Sequence, residues 1–85
     1  GPLLMEINIL FLGPARDLAG VESVLLDVSN ETTAASVRSV ISAKFPRIKA
    51  ALPTMRMAVN QSFVSGEYLL RAGDEVAMIP PVSGG

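Results

Sequence analysis

The 85-residue sequence contains neither cysteine nor histidine. The absence of cysteine excludes disulfide bonds and thiol nucleophiles, and the absence of both excludes a Cys/His zinc site. Without histidine, the serines lack the base of a hydrolytic triad. The glycines outside the C-terminus are scattered and form no phosphate-binding loop. We therefore expect this chain to bind no metal and no cofactor of its own.

Charged residues are also few, at 18% of the chain, with seven basic and eight acidic side chains and a net charge of −1. No run of Lys or Arg is present, so nucleic acid and anionic membranes are poor candidates as partners. The apolar stretches are far too short to span a bilayer, and no signal peptide is visible. These features favour a cytoplasmic protein.

What the sequence has in abundance is apolar residues, which make up 49% of it, with a mean hydropathy of +0.44. A chain of this length forms one small domain, and such a domain cannot bury all of its apolar surface. We expect an exposed apolar patch that binds a partner. Residues 1–4 are typical of a cloning remnant and Met5 of a natural start, so we assign residues 5–79 to the domain and 80–85 to a tail.

The tail reads Pro-Pro-Val-Ser-Gly-Gly and directly follows an apolar strand. Pro80 and Pro81 lack an N–H and cannot continue a sheet ladder, so the chain leaves the sheet in an extended form. Gly84 and Gly85 have no side chain and fit a slot too narrow for other residues. Six residues span at most about 20 Å. This length suits the delivery of a chain end into another protein's active site.

The hydrophobic pattern predicts strands at residues 6–12, 22–28, 56–59, 63–64 and 75–79. The short link between the first two favours an antiparallel pair. A helix is predicted at residues 34–45, with Thr32 or Thr33 as N-cap and Pro46 as the stop. Short turns are expected at residues 14–20 and 47–52.

This order of elements predicts an α+β fold, with one main helix packed across a mixed sheet. The last strand can lie beside the first if the crossovers are right-handed. That arrangement is the β-grasp, or ubiquitin-like, fold, and it would hold the terminal strand rigid while the Gly-Gly tail projects freely.

The side chains offer little chemistry. Asp74 and Glu75 are adjacent, so on a strand they would point to opposite faces and form no acid–base dyad; we expect both to be solvated. What remains is the carboxylate of Gly85, which is ionised at neutral pH and is a poor electrophile. It would have to be activated, most simply as an acyl-adenylate that a partner makes from ATP, after which a sulfur nucleophile could give a thiocarboxylate.

The sequence from Gly73 to Ala77, followed by Ile79 and the ending Pro-Pro-Val-Ser-Gly-Gly, closely resembles the small subunit of molybdopterin synthase (MoaD type). The segments Ala-Val-Asn-Gln at residues 58–61, Ile-Leu-Phe at 9–11 and Arg-Asp-Leu-Ala-Gly at 16–20 fit this family too. The resemblance covers nearly all of residues 5–85, and the six-residue ending is its most specific part.

This resemblance implies a β-grasp sulfur carrier and not an enzyme in isolation. Gly85 would be adenylated by an activating enzyme of MoeB type that uses ATP, and then converted to a thiocarboxylate. The tail, formed by Pro80, Pro81, Val82, Ser83, Gly84 and Gly85, would enter the large subunit (MoaE type), with Ser83 and Gly84 lining the slot. Two sulfurs would pass in turn to cyclic pyranopterin monophosphate. The assembled synthase would be a heterotetramer with a dimer of large subunits.

The family also uses an apolar surface patch to bind partners, and by position Leu12, Phe63 and Ile79 match it. For Leu12 and Ile79, an ordinary core position is an equal alternative, whereas for Phe63, which is close to a turn, we expect exposure.

Three other functions remain open on the sequence. The chain could be a related sulfur carrier for thiamine thiazole synthesis or transfer RNA thiolation. It could be a ubiquitin-like modifier whose Gly85 forms isopeptide bonds with lysines. It could also be an interaction module with an inert tail. The Pro80-Pro81-Val82 segment favours the molybdopterin synthase carrier.

Overall fold

The computed structural model describes residues 3–82, which form a five-stranded sheet, two α-helices and two single-turn 3₁₀ helices. The strands are β1 (Leu4–Phe11), β2 (Ser23–Ser29), β3 (Arg56–Val59), β4 (Ser62–Phe63) and β5 (Glu75–Ile79). The helices are α1 (Pro14–Ala19) and α2 (Ala34–Lys44), and the 3₁₀ turns are Pro46–Ile48 and Leu52–Thr54.

The strands lie in the order β2-β1-β5-β3-β4, so the first and last strands of the chain are neighbours in the sheet. β1 pairs antiparallel with β2 and parallel with β5, while β3 is antiparallel to both β4 and β5. The predicted mixed sheet and β-grasp topology are confirmed. β5, which carries the tail, is held on both sides by a neighbouring strand.

The connection from β1 to β2 contains α1, whose ends follow from its sequence. Pro14 stands in the first turn, where its missing N–H costs no hydrogen bond. Gly20 ends the helix with φ 80°, and its N–H donates to the Arg16 carbonyl at 2.8 Å. Glycine adopts this left-handed conformation without a steric penalty.

Helix α2 begins with a capping box. The Thr33 hydroxyl accepts from the Ser36 N–H at 3.2 Å, and the Ser36 hydroxyl accepts from the Thr33 N–H at 2.8 Å. Two backbone N–H groups that have no partner within the helix are thus satisfied. The helix ends at Lys44, one residue before the predicted end, because Phe45 precedes Pro46 and takes a non-helical conformation.

The core lies between α2 and one face of the sheet. Ala34, Val37 and Ile41 of α2 are buried, as the helical periodicity predicted. Phe45 packs edge-to-face on Phe11 of β1 with ring centroids 5.3 Å apart. The sheet contributes alternate residues to this core, namely Met5, Ile7, Ile9 and Phe11 of β1, Leu26 and Val28 of β2, Met57 and Val59 of β3, and Val76 and Met78 of β5.

Several boundaries differ from the prediction. β1 begins at Leu4, which pairs with Ser29, so the sheet includes one residue of the segment assigned to a cloning remnant. β4 is Ser62–Phe63 instead of residues 63–64, since a two-residue turn at Asn60 and Gln61 sets the register in which Val59 pairs with Ser62.

The expectation that Asp74 is solvated was wrong, because this side chain is buried. Its carboxylate accepts from the Asn60 side-chain amide at 2.9 Å and from the Arg71 N–H at 2.8 Å. The side-chain Oδ1 of Asn60 in turn accepts from the Glu75 N–H at 3.0 Å. These bonds join the turn after β3 to the first residue of β5. A buried carboxylate requires such partners, and the sequence did not show that they would be near.

We expect Asp74→Ala to lower the free energy of unfolding by about 2–4 kcal/mol, because it leaves the Asn60 amide and the Arg71 N–H without their charged acceptor. Urea denaturation would measure the loss. Asp27→Ala is the control, since Asp27 is exposed on β2; its effect should stay within about 0.5 kcal/mol. Equal losses in the two variants would contradict a stabilising role for the Asp74 network.

Candidate partner-binding face and carrier tail

The two faces of the sheet are covered differently. The residues that α1 and α2 bury belong to the core on one face. The other, here called the open face, presents the alternate residues of each strand. Its exposed apolar side chains are Leu4, Leu25 and Phe63, which are 58%, 60% and 56% exposed. Part of the exposed apolar surface therefore lies on this face of the sheet, while Leu69 and Val82 are exposed elsewhere.

An apolar row crosses four strands of the open face. Leu10 of β1 is paired with Ala77 of β5, Ala77 with Ala58 of β3, and Ala58 with Phe63 of β4. Ala58 is buried, Leu10 and Ala77 are half-buried, and Phe63 is exposed. The row therefore consists of two small apolar residues flanked by a leucine and a phenylalanine, and most of its accessible surface belongs to Phe63.

A second row lies next to the first, at the end of β5 from which the tail leaves. Ile79 pairs with Arg56 of β3, and the Leu12 N–H donates to the Met78 carbonyl at 3.2 Å, which places Leu12 beside Ile79. The Arg56 guanidinium carbon lies 3.6 Å from the centre of the Phe63 ring, a cation–π geometry. Arg56 thus restrains Phe63 and places a positive charge at the edge of the apolar surface.

Negative charge on the open face lies farther from the tail. Glu6 of β1 pairs with Asp27 of β2, and Glu75 stands at the start of β5 beside Asn8. The open face is therefore polarised along the strands, with Arg56 at the tail end and the three carboxylates toward the other end. A partner with the reverse arrangement of charges would bind in one orientation.

The tail begins where β5 ends. Ile79 is the last residue of the strand, Pro80 is half-buried, and Pro81 and Val82 are exposed, Val82 to 94%. Among the residues predicted to thread into a partner, Ser83, Gly84 and Gly85 lie outside the described residues. The described part of the tail leaves the sheet next to the second row of the open face.

The three residues predicted to bind a partner are brought to this one face. Phe63 is exposed, as predicted, while Leu12 and Ile79 are half-buried and belong wholly neither to the core nor to the surface. Sequence reasoning missed Leu10, Ala58, Ala77 and Arg56. Leu10 could have been found from its alternation with the core residues of β1, but the other three join the site only through the register of β3, β4 and β5.

Elsewhere in residues 3–82, the structure has a shallow groove but no cluster of metal-ligating side chains. Across residues 3–82, no three carboxylates lie close enough to hold a metal ion. A shallow groove of about 440 Å³ lies between α2 and the 3₁₀ turns, lined by Arg38, Ser39, Ser42, Lys49, Leu52 and Pro53. The Arg38 guanidinium is engaged there by the carbonyls of Leu52 and Met55, at 2.6 and 2.8 Å, so it has a structural role. Nor does any described helix have the length and apolar character needed to cross a bilayer.

Comparison with known proteins connects this face and tail to a family. The ThiS family model matches residues 9–85. The chain belongs to the ThiS family. A relative from Haemophilus influenzae, the molybdopterin synthase sulfur carrier subunit, is 35% identical over 81 residues, which is 93% of this chain and 99% of the relative. The family match therefore covers most of the fold and includes the tail.

Solved structures of similar proteins share the fold. SAMP1 from Haloferax volcanii superposes with a TM-score of 0.87 at 22% identity, over 94% of this chain and 99% of SAMP1. In the Helicobacter pylori complex of subunits 1 and 2 of molybdopterin-converting factor, the matching chain gives a TM-score of 0.72 at 24% identity, over 95% of this chain and all of that one. At these identities the likeness establishes the β-grasp fold, and the ThiS family assignment rests on the sequence.

Proposed function

We propose that this ThiS family member is the sulfur-carrier subunit of a molybdopterin synthase, with the carboxylate of Gly85 as the carrier group. The observation that carries the proposal is the continuity of the apolar open face with the strand that ends in the Pro-Pro-Val-Ser-Gly-Gly tail. Support also comes from the identity with curated relatives named for that role.

The proposed chemistry takes place at one carbon atom. An adenylating enzyme joins the Gly85 carboxylate to the α-phosphate of ATP, and pyrophosphate leaves. A sulfide-level sulfur nucleophile then attacks the acyl carbon, the C–S bond forms and AMP leaves with the carboxyl oxygen that it held. Adenylation is needed because an ionised carboxylate resists a nucleophile, whereas AMP is a good leaving group. The product is a thiocarboxylate at the end of the chain.

In the second stage, the large subunit holds the pterin precursor and the tail delivers the sulfur. The thiocarboxylate sulfur attacks a carbon of cyclic pyranopterin monophosphate that bears an oxygen substituent. The C–S bond forms, the C–O bond breaks and the oxygen leaves with the bonding electron pair, so that a thioester links the two molecules. Water then cleaves the bond between the sulfur and the Gly85 acyl carbon, which restores the carboxylate. A dithiolene needs two sulfurs, so two charged carriers react in turn.

This scheme gives a role to the open face and a role to the tail. The open face binds the large subunit through its tail end, where Leu12, Phe63 and Ile79 lie, and Pro80 and Pro81 direct the tail into the active site of that subunit. Because β5 is paired on both sides, binding at the open face fixes the direction in which the tail leaves. The large subunit of MoaE type, the activating enzyme of MoeB type, the heterotetramer and the cytoplasmic location are parts of this proposal. The chain is catalytic only within the complex.

The test is the intact mass of the chain after incubation with ATP, an activating enzyme of MoeB type and a sulfur source. We expect a gain equal to the replacement of one oxygen by sulfur, localised to Gly85 by fragmentation. Addition of the large subunit and the pterin precursor should then remove the sulfur and give molybdopterin. A chain that stays unmodified beside a demonstrably active enzyme would contradict the proposal.

The same experiment separates the alternatives. A carrier for thiazole synthesis or transfer RNA thiolation would gain the sulfur but would not lose it to the pterin precursor. A protein modifier would instead appear joined through Gly85 to lysines of other proteins. Likeness to SAMP1, at 22% identity, does not by itself favour the modifier, because that likeness establishes the fold alone.

A further inference from the structure

β2 forms one edge of the sheet, and within residues 3–82 no strand pairs with its outer side. Sheets expose a row of N–H and C=O groups at such an edge, and most proteins protect it with a proline, a lysine, a bulge or a very short strand. β2 has seven residues, Ser-Val-Leu-Leu-Asp-Val-Ser, with one charge and no proline. Its pairing with β1 runs without a bulge from Ser23 to Ser29. The edge is therefore long and almost unprotected.

The alternation of the ladder identifies which backbone groups face outward. The Phe11 N–H donates to the Glu22 carbonyl, and the Asn30 N–H donates to the Leu3 carbonyl. In an antiparallel pair the bonded residues alternate, so the even-numbered residues of β2 point their N–H and C=O groups toward β1. Ser23, Leu25 and Asp27 point theirs outward.

The carbonyl of the neighbouring Ser29 already accepts from the Thr32 N–H at 3.0 Å, so only the N–H of Ser29 is left to point outward. The residues of β2 that turn both backbone groups outward are thus symmetrical about Leu25, whose side chain is 60% exposed on the open face. A strand whose free groups are symmetrical about one residue is complementary to an antiparallel copy of itself.

We propose that two copies of this chain associate through their β2 edges, antiparallel and in register about Leu25. In that register Leu25 faces Leu25 of the second copy, and Ser23 faces Asp27 of the second copy. All of the outward N–H and C=O groups of Ser23, Leu25 and Asp27 then have a partner. The proposal does not depend on the sulfur-carrier function.

The side chains fit this register. Leu25 packs against its own copy on the open face, which covers one of the most exposed apolar residues of the protein. The Ser23 hydroxyl can donate to the Asp27 carboxylate of the second copy, and the two Asp27 carboxylates lie roughly 13 Å apart along the strand, which is four residues. A register centred on Asp27 would instead place the two carboxylates opposite each other.

Sedimentation equilibrium from micromolar to millimolar protein tests the association. The wild-type chain and Leu25→Val, which keeps the N–H and an apolar side chain, should form dimers as the concentration rises. Leu25→Pro removes an outward N–H that β1 does not use, and it should weaken association by about tenfold or more. Wild-type protein that stays monomeric at millimolar concentration would overturn the proposal.

Cysteine pairs test the register, and the chain offers a clean background because it has no cysteine of its own. Bonded antiparallel partners have Cα atoms about 5.5 Å apart, within the range for a disulfide. Under mild oxidation, Leu25→Cys should cross-link alone, whereas Ser23→Cys and Asp27→Cys should cross-link only when mixed. This result would decide the question even if Leu25→Pro failed to fold.

Two other results would contradict the proposed dimer. Cross-linking of Asp27→Cys alone, or equal cross-linking of every variant, would contradict the register centred on Leu25. A dimer that dissociates in Phe63→Asp but persists in Leu25→Pro would show that the open face, and not the β2 edge, mediates self-association.

Discussion

Removal of Gly84 and Gly85 should abolish formation of the thiocarboxylate and all transfer of sulfur to the pterin. The truncated chain ends at Ser83 and still has a carboxylate, so the chemistry at the acyl carbon remains possible in principle. Its carboxylate, however, lies about 7 Å short of the original position and carries a side chain into a slot that we expect to be narrow. Since a displacement of about 1 Å can cost about 10²-fold in rate, we expect no detectable modified chain.

The intact mass measured after incubation with ATP, the activating enzyme and a sulfur source checks this result. Val82→Ala is the matched control, because it keeps the length of the tail and changes a side chain that is exposed in the free protein. The fold should be the same in both variants, since β5 ends at Ile79. If the truncated chain gained sulfur as fast as the full chain, Gly85 would not be the carrier residue.

Phe63→Asp should weaken binding to the large subunit by about 30-fold or more, equivalent to about 2 kcal/mol. Phe63 is the most exposed residue of the apolar row, and a carboxylate there would have to lose its water in the complex. The fold should survive, because the side chain makes its described ring contact with Arg56 at the surface and does not belong to the core. We expect the free energy of unfolding to change by less than about 1 kcal/mol.

Titration calorimetry with the large subunit would measure the affinity, and urea denaturation the stability. Leu69→Asp is the control, since Leu69 is 53% exposed but lies in the loop before β5, outside the open face. The mass gain of Phe63→Asp after incubation with ATP, the activating enzyme and a sulfur source shows whether this variant still acquires sulfur. It thereby separates binding to the large subunit from formation of the thiocarboxylate. Equal affinities for Phe63→Asp and Leu69→Asp would show that the open face does not bind the large subunit.

Local patterns predicted the elements well where each residue's environment depends on its near neighbours. The bounds of β3 and β5 were predicted correctly, and the start of α2 follows from the capping residue Thr33. Errors arose at element ends, such as β4, where the register set by the turn decides the outcome.

Some residues of the candidate site could likewise be predicted from their neighbours in sequence, and others could not. Phe63 was correctly predicted to be exposed, because it is next to a turn and ends a short strand. Ala58 and Ala77 gave no signal, since the sequence does not distinguish a small residue of the core from one on the other face of the sheet. Their place beside each other follows only from the pairing of β3 with β5. Asp74 was wrongly expected to be solvated, because its partner Asn60 is 14 residues away in sequence.

The sequence alone determined the chemistry that this chain can support. Without cysteine or histidine, its side chains offer no thiol or imidazole chemistry, and the Pro-Pro-Val-Ser-Gly-Gly motif led to the hypothesis that the Gly85 carboxylate is the reactive group. The tertiary structure decided which residues form the candidate partner-binding face. Strand pairing between residues distant in sequence joined Leu10, Ala77, Ala58 and Phe63 into one row, and it placed that row beside the start of the tail. Spacing along the chain cannot encode this surface, because it depends on which strands become neighbours and in which register.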